Sequence, residues 1–117
     1  MNKDNIIKDL KSILNEEQVF TDNSTIAQKS VDLYALRLYQ KHVGWKPTLA
    51  SCVVKPKNTE EVSKVLKYLN KNNIPTIPYG GGSGVLAGAE TRNEKTAGSD
   101  LRDMHTILEF NEKKLTV

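Results

Sequence analysis

The sequence predicts an α+β fold, a βαβ core preceded by N-terminal helices, and three features carry that expectation. Residues Asn58–Asn72 form a capped stretch with an apolar stripe at helical spacing. That stretch lies between two β-prone runs, Leu49–Lys55 and Ile74–Tyr79. A run of small residues, Gly80, Gly81, Gly82, Ser83 and Gly84, follows the second β run directly. Strand, helix and strand at this spacing read as parallel strands joined by a right-handed crossover.

Taken from the N-terminus, Ile6, Ile7, Leu10, Ile13 and Leu14 fall on one helical face, with Asn2 or Asp4 as the cap. Asn15–Asn23 is polar and turn-like. A second helical stretch begins near Ser24, and Val31, Tyr34, Ala35 and Leu38 repeat the helical spacing until Asp32, Gly44 and Pro47 weaken or bound it. The clearest helix comes next. Asn58 with Glu61 three residues on resembles a capping box, worth on the order of 1 kcal/mol. Val62, Val65, Leu66 and Leu69 make the stripe, and Glu60 with Lys64 is an i, i+4 pair in the favourable order. Lys67 and Lys71 suit the negative end of the helix dipole. Asn72 and Asn73 tolerate a left-handed C-terminal turn. Pro75 and Pro78 remove two N–H donors from the following strand, which is therefore expected to be short or interrupted.

Beyond the glycines the pattern fades. Ala89–Ser99 has neither a two-residue nor a 3.6-residue period and reads as loop. Ile107–Phe110 and Leu115–Val117 read as two strands of a hairpin across Asn111–Lys114.

Composition narrows the function. The 117 residues suit one small domain, and a hydrophobic content of 38% implies marginal stability. Seventeen basic and fourteen acidic residues leave a net charge of +3, mixed along the chain with no block suited to a nucleic-acid arm. Tyr34, Tyr39 and Trp45 interleave with Arg37, Lys41 and Lys46, which admits a stacking surface for single strands. Without a repeated pattern, aromatics covering a small core are the simpler reading. The single cysteine, Cys52, excludes an internal disulfide and reads as an inert core thiol. His42 and His105 have no partner at metal-ligand spacing. The charged N-terminus is no signal peptide, and no apolar run is long enough for a bilayer. A soluble, cytoplasmic protein without nucleic-acid or membrane partners is the expectation.

Four glycines in five residues at the carboxyl end of a strand point to a ligand. Bare backbone approaches a ligand closely, and its converging N–H groups bind anions, most often phosphate. A P-loop is excluded because no Lys-Ser or Lys-Thr follows. Gly82, Gly84 and Ala87 match G-x-G-x-x-A, but Val85–Lys95 lacks the helix that a dinucleotide fingerprint must open. The bland alternative is a glycine-rich surface turn.

The stretch PKNTEEVSKVLKYLNKNNIPTIPYGGGSGVLAGA resembles the N-terminal FAD-binding segment of the vanillyl-alcohol oxidase and p-cresol methylhydroxylase (PCMH-type) family. It is most similar to FAD-linked oxidases of the kind that includes the glycolate oxidase flavin subunit, D-lactate dehydrogenase and alkyl-dihydroxyacetonephosphate synthase. Lys55-Pro56, Thr59-Glu60-Glu61-Val62, Ile74-Pro75, Pro78, the glycine run and Gly88 arrive in the family's order. Asp100-Leu101, Met104, Ile107-Leu108-Glu109 and Leu115-Thr116-Val117 resemble its following strands. The likeness implies residues 1–46 as an N-terminal helical segment and residues 47–117 as the first lobe of a PCMH-type FAD-binding domain. It implies that Tyr79, Gly80, Gly81, Gly82, Ser83, Gly84 and Gly88 hold the FAD pyrophosphate, with Ser83 adding a hydroxyl donor.

Some members of the family attach flavin through a His near this loop. No His or Cys lies between Ile74 and Arg92, so FAD is expected to bind non-covalently. Two departures stand out. Thr96, Ala97, Gly98 and Ser99 replace the apolar run of the family's third strand. Family enzymes also continue into a second FAD lobe and a substrate domain, which this sequence does not reach. The implied function is the FAD-binding first lobe of an oxidoreductase acting on a 2-hydroxy acid or alcohol, with hydride passing to the flavin. Alone it is expected to be inactive, with catalysis dependent on a second chain that supplies the rest. A non-catalytic nucleotide-binding remnant of a split or decayed gene is the alternative.

Overall fold

The computed structural model describes residues 2–116. Helix α1 is Lys3–Ile13, strand β1 Val19–Phe20, α2 Asn23–Lys29, α3 Ala35–His42, β2 Cys52–Val54, α4 Thr59–Lys71, β3 Thr76–Tyr79 and β4 Ala97–Asp100. The strands form one sheet in the order β1-β2-β4-β3. β1 is antiparallel to β2, whereas β4 runs parallel to both β2 and β3. The expected α+β architecture is present. The two strands flanking α4 are parallel but are not hydrogen-bonded neighbours, because β4 lies between them.

Side-chain alternation along β2 builds a core on each face of the sheet. Cys52 and Val54 join Ile6, Leu10 and Leu14 from the N-terminal region and Val65 and Leu69 from α4. Val53, on the other face, meets Ile26 of α2 and Ala50. The N-terminal helix thus shares its core with the sheet. Cys52 is fully buried, and burial pushes its thiol up, against a weaker opposing contact from Ser51.

Helix α4 is capped as the sequence implies on one side only. Asn58 Oδ1 accepts from the Glu61 amide at 2.9 Å. The Glu61 carboxylate does not close the box; it accepts from the Lys57 amide at 2.7 Å and from Gln18 Nε2 at 2.8 Å. Lys64 and Glu60 pair at 2.7 Å. Asn73 takes a φ of 53°, the left-handed turn that ends the helix. Asn2 sits at the N-cap of α1, yet its side chain caps nothing; its carbonyl accepts from Asn5 and Ile6.

Five expectations are corrected. Asn15–Asn23 contains β1, too short for any periodicity to reveal, and the buried Gln18 locks it down by donating to the Lys55 carbonyl. The stretch from Ser24 to Leu38 is two helices, not one. Ser30 Oγ bonds the Ile26 carbonyl and receives the Ala50 amide, while Asp32 Oδ1 receives the Tyr34 amide. Those side chains offer the backbone an alternative to helix, and the chain breaks there. No residue of α3 is buried and Tyr39 is exposed, so the aromatics here do not cover a core; Trp45 stacks instead on Arg37 at 4.6 Å.

The fourth correction concerns Ala97–Ser99, read as loop, which with Asp100 forms the buried strand β4. It needs no apolar run because its side chains are small and its polar atoms are paired. Thr76 Oγ1 donates to the Ala97 carbonyl at 2.8 Å and lies 3.0 Å from Ser99 Oγ. Fifth, Ile107–Phe110 forms no strand. Only an isolated bridge, Asn111 to Thr116, closes the expected turn, and Val117 lies outside the described residues. Ile107, Leu108 and Phe110 are exposed, and a two-stranded ribbon with no covered face is marginal.

Pro78 of β3 obeys its position. Pro75 and Tyr79 turn their carbonyls to β4, accepting from Ala97 and Leu101 at 2.9 Å each. Alternation then directs the missing N–H of Pro78 away from β4, where no ladder bond is lost. Among the described residues no helix is long and apolar enough to cross a membrane.

Candidate functional site

Strand β3 ends at Tyr79, and the glycine run leaves its carboxyl end. All seven residues singled out in the sequence, Tyr79, Gly80, Gly81, Gly82, Ser83, Gly84 and Gly88, line one open cavity of about 470 Å³. Among the described residues, no backbone N–H from Gly80 to Gly84 finds a protein acceptor. No helix follows the run, as the absent periodicity implied.

The glycines are needed for different reasons. At Gly80 and Gly81 a Cβ would meet nothing within 4 Å and would stand in open space. Gly82 has a φ of +71°, and a Cβ there would overlap the Tyr79 hydroxyl. At Gly84 a Cβ would come within 3.2 Å of Asp32 Oδ2. The first pair keeps the approach open, and the second pair lets the loop lie against its floor.

The opposite wall comes from the break between α2 and α3. Leu33 donates to the Gly84 carbonyl at 2.9 Å, and the Thr91 amide donates to the Ser30 carbonyl at 2.9 Å. Arg37 grips Glu90 with two bonds, Nε to Oε2 at 2.6 Å and Nη2 to Oε1 at 3.0 Å. Three anchors thus hold the 84–91 segment against residues 30–37. Asp32 lines both this cavity and a second one that shares Tyr79, Gly81 and Gly82 and includes Lys41.

Below the loop lies a buried charge cluster. Lys29 Nζ is 3.4 Å from Asp100 Oδ2 and 4.1 Å from the centre of the Tyr79 ring. Arg102 holds the same carboxylate through Nε and Nη2 at 2.8–3.1 Å. Burial alone would raise the Asp100 carboxyl, but the Arg102 hydrogen bonds and the Lys29 charge outweigh it and leave it below its ordinary value. At Lys29 burial wins over Asp100 and lowers the ammonium's pKa. The difference is one of partners: Asp100 has two cations and Lys29 a single anion. Burial pushes the Tyr79 phenol up; the Arg102 charge opposes it, and the Asp100 and Asp32 carboxylates add smaller upward effects.

Sequence reasoning placed the loop but missed Lys29, Asp32 and Arg102. Asp32 carried no signal beyond being a helix breaker, and Lys29 looked like any surface lysine. His42 and His105 are exposed, and the described residues hold no group of three His, Cys, Asp or Glu able to bind a metal.

A family model described as FAD binding domain matches residues 50–117. The chain belongs to that FAD-binding family. The FAD-linked oxidoreductase YgcU of Escherichia coli (strain K12) is 29% identical over 106 residues, covering 91% of this chain and 22% of that protein. The mitochondrial D-lactate dehydrogenase [cytochrome] 1 of Saccharomyces cerevisiae is 28% identical over 116 residues, covering 97% of this chain and 19% of that protein. A solved alkyldihydroxyacetonephosphate synthase superposes with a TM-score of 0.84 at 22% identity, covering 97% of this chain and 23% of that one. The FAD-binding chain therefore spans about a fifth of the length of these relatives.

The loop of this FAD-binding domain fits the pyrophosphate of the cofactor. A diphosphate offers only acceptor oxygens, and the Gly80–Gly84 amides are donors that no protein acceptor takes among the described residues. The open space at Gly80 and Gly81 gives the anion access to them.

Proposed function

We propose that this chain is the FAD-pyrophosphate-binding part of an oxidoreductase acting on a 2-hydroxy acid or alcohol, and that it binds FAD non-covalently. The observation that carries the reading is the run of residues Gly80–Gly84, which line one cavity and whose amides have no protein acceptor among the described residues. Ser83 adds a hydroxyl, and no His or Cys stands in the segment from Ile74 to Arg92 to form a covalent link. Residues 47–117 form the first lobe in this reading, with residues 1–46 as a helical segment before it. FAD, once bound, supplies the hydride-accepting ring. The 2-hydroxy acid class rests on the relative named D-lactate dehydrogenase. The residues that contact the flavin ring and the substrate belong to the remainder of such an enzyme, supplied by further protein or a second chain.

Titration of FAD and ADP into the purified chain, followed by amide chemical shifts, tests the loop assignment. Shifts centred on Gly80–Gly84 are expected, with an affinity of about micromolar to millimolar, or about −4 to −8 kcal/mol. Gly81→Val is expected to abolish binding without unfolding, because its side chain enters open space. Ser83→Ala is expected to cost about 1–2 kcal/mol of binding. Shifts centred on Tyr34–Trp45 instead, or binding unaffected by Gly81→Val, overturn the assignment.

A second expectation concerns turnover. The chain by itself is expected to give no flavin reduction with D-lactate or glycolate, since no residue is assigned to the reacting atoms. Spectrophotometric bleaching of added FAD by either substrate would contradict it.

A further inference from the structure

Asp32 is the polar residue of the site that pyrophosphate binding does not explain. The residue is only 7% exposed. Its Oδ1 accepts from the Tyr34 amide at 3.0 Å. Its Oδ2 is buried and has no hydrogen-bond partner among the described residues. No lysine or arginine pairs with it among the described residues. The Tyr79 hydroxyl nearby is directed instead at the Gln28 carbonyl, 3.4 Å away. A buried carboxylate oxygen without a donor is costly, and an acceptor beside a phosphate site repels the anion as well. Only a donor removes both problems.

We propose that Asp32 Oδ2 accepts a hydrogen bond from a sugar-type hydroxyl that flanks the bound diphosphate, making Asp32 a further ligand-binding residue of the glycine-loop site. The proposal rests on the pyrophosphate reading above. Phosphate oxygens carry no proton to give, so the donors closest to a dinucleotide's diphosphate are hydroxyls: the ribose on one side and the flavin's ribityl chain on the other. The amides of Gly80–Gly84 take the phosphates and Asp32 takes the hydroxyl. Asp32 stands where this needs it, lining both cavities that meet at the loop and facing the bare α-carbon of Gly84. Access to Oδ2 requires an outward shift of the Gly82–Gly84 backbone, which residues without side chains permit. A site built this way prefers a nucleotide over a free anion of equal charge.

The test is calorimetric titration of the purified chain and of Asp32→Asn with inorganic pyrophosphate, ADP and FMN. Asn retains a side-chain oxygen for the Tyr34 turn while removing the charge. Pyrophosphate is expected to bind Asp32→Asn more tightly than wild type, because a repelling carboxylate is gone. ADP, FMN or both are expected to bind about tenfold more weakly, the loss of one charge-assisted hydrogen bond. Loss confined to ADP identifies the ribose, and loss confined to FMN the ribityl chain. Equal changes for all three ligands, or none, overturn the proposal and leave Asp32 as a support for the loop. Should the variant fail to fold, the carbon-13 resonance of the wild-type Asp32 carboxyl decides: a shift with ADP or FMN that pyrophosphate does not reproduce supports the proposal, and identical responses refute it. Wild-type chain that binds none of the three ligands overturns the pyrophosphate reading itself, and this one with it.

Discussion

Asp100→Ala is expected to destabilise the chain by about 3–5 kcal/mol, the range for removing one partner of a buried ion pair. The Lys29 side chain is 2% exposed and that of Asp100 4%. Without the carboxylate, the Lys29 ammonium retains only the face of Tyr79. Such a loss is a large fraction of the stability of a small domain with a thin core. Urea unfolding of wild type and variant at pH 7 measures it. The effect has a defined pH dependence. The folded-state pKa of Asp100 is depressed, so its contribution is present above the unfolded value of about 3.9 and is lost as pH falls through the folded value. The gap between wild type and Asp100→Ala is therefore expected to narrow in acid. Lys29 acts with the opposite sign: its depressed pKa is a penalty on the charged form that persists at neutral pH. Adding Lys29→Met to Asp100→Ala is expected to recover part of the loss, since no charge then remains buried. An unchanged urea midpoint in Asp100→Ala would show that the pair contributes nothing net.

Gly82→Val is expected to lose both ligand binding and stability, whereas Gly81→Val loses binding alone. At Gly82 the φ of +71° costs an L-residue about 1–2 kcal/mol before any contact is considered. A Cβ there would overlap the Tyr79 hydroxyl and lie 2.6 Å from its Cζ. Tyr79 therefore has to move, and its ring is the surface against which Lys29 packs. The expected total is about 2 kcal/mol or more, in the range typical of strain at a special backbone position. Thermal melting separates the two variants: Gly81→Val melts with wild type, and Gly82→Val melts several degrees lower. Equal melting temperatures would mean that Tyr79 adjusts without cost and that Gly82 serves the ligand only.

The parts of this protein legible in the sequence are those governed by local rules. Asn58, Glu61 and the stripe through Val65 and Leu69 specify α4 because capping and amphipathic spacing are short-range. The glycine run announces close approach to a ligand because only residues lacking a Cβ permit it, and Pro78 fits the one side of β3 that makes no ladder bond. The resemblance of residues 56–88 to a family pattern then supplied the cofactor, which the family match bears out at the level of FAD binding.

Tertiary structure alone decided the rest, for reasons that no window of sequence contains. Ala97–Asp100 became an interior buried strand because β2 and β3 flank it and because Thr76 and Lys29, distant in the chain, pair its polar groups, joined by Arg102 two residues on. Val19–Phe20 became a strand because β2 had an edge to complete. Asp32 and Lys29 entered the site because the break between α2 and α3 folds onto the glycine loop through Leu33, Ser30 and Arg37. The sequence by itself determined a helix, two strands and a glycine loop open to close approach, since each follows from its neighbours along the chain. The fold determined which polar residues lie beneath that loop, since burial and pairing are properties of what comes together from afar.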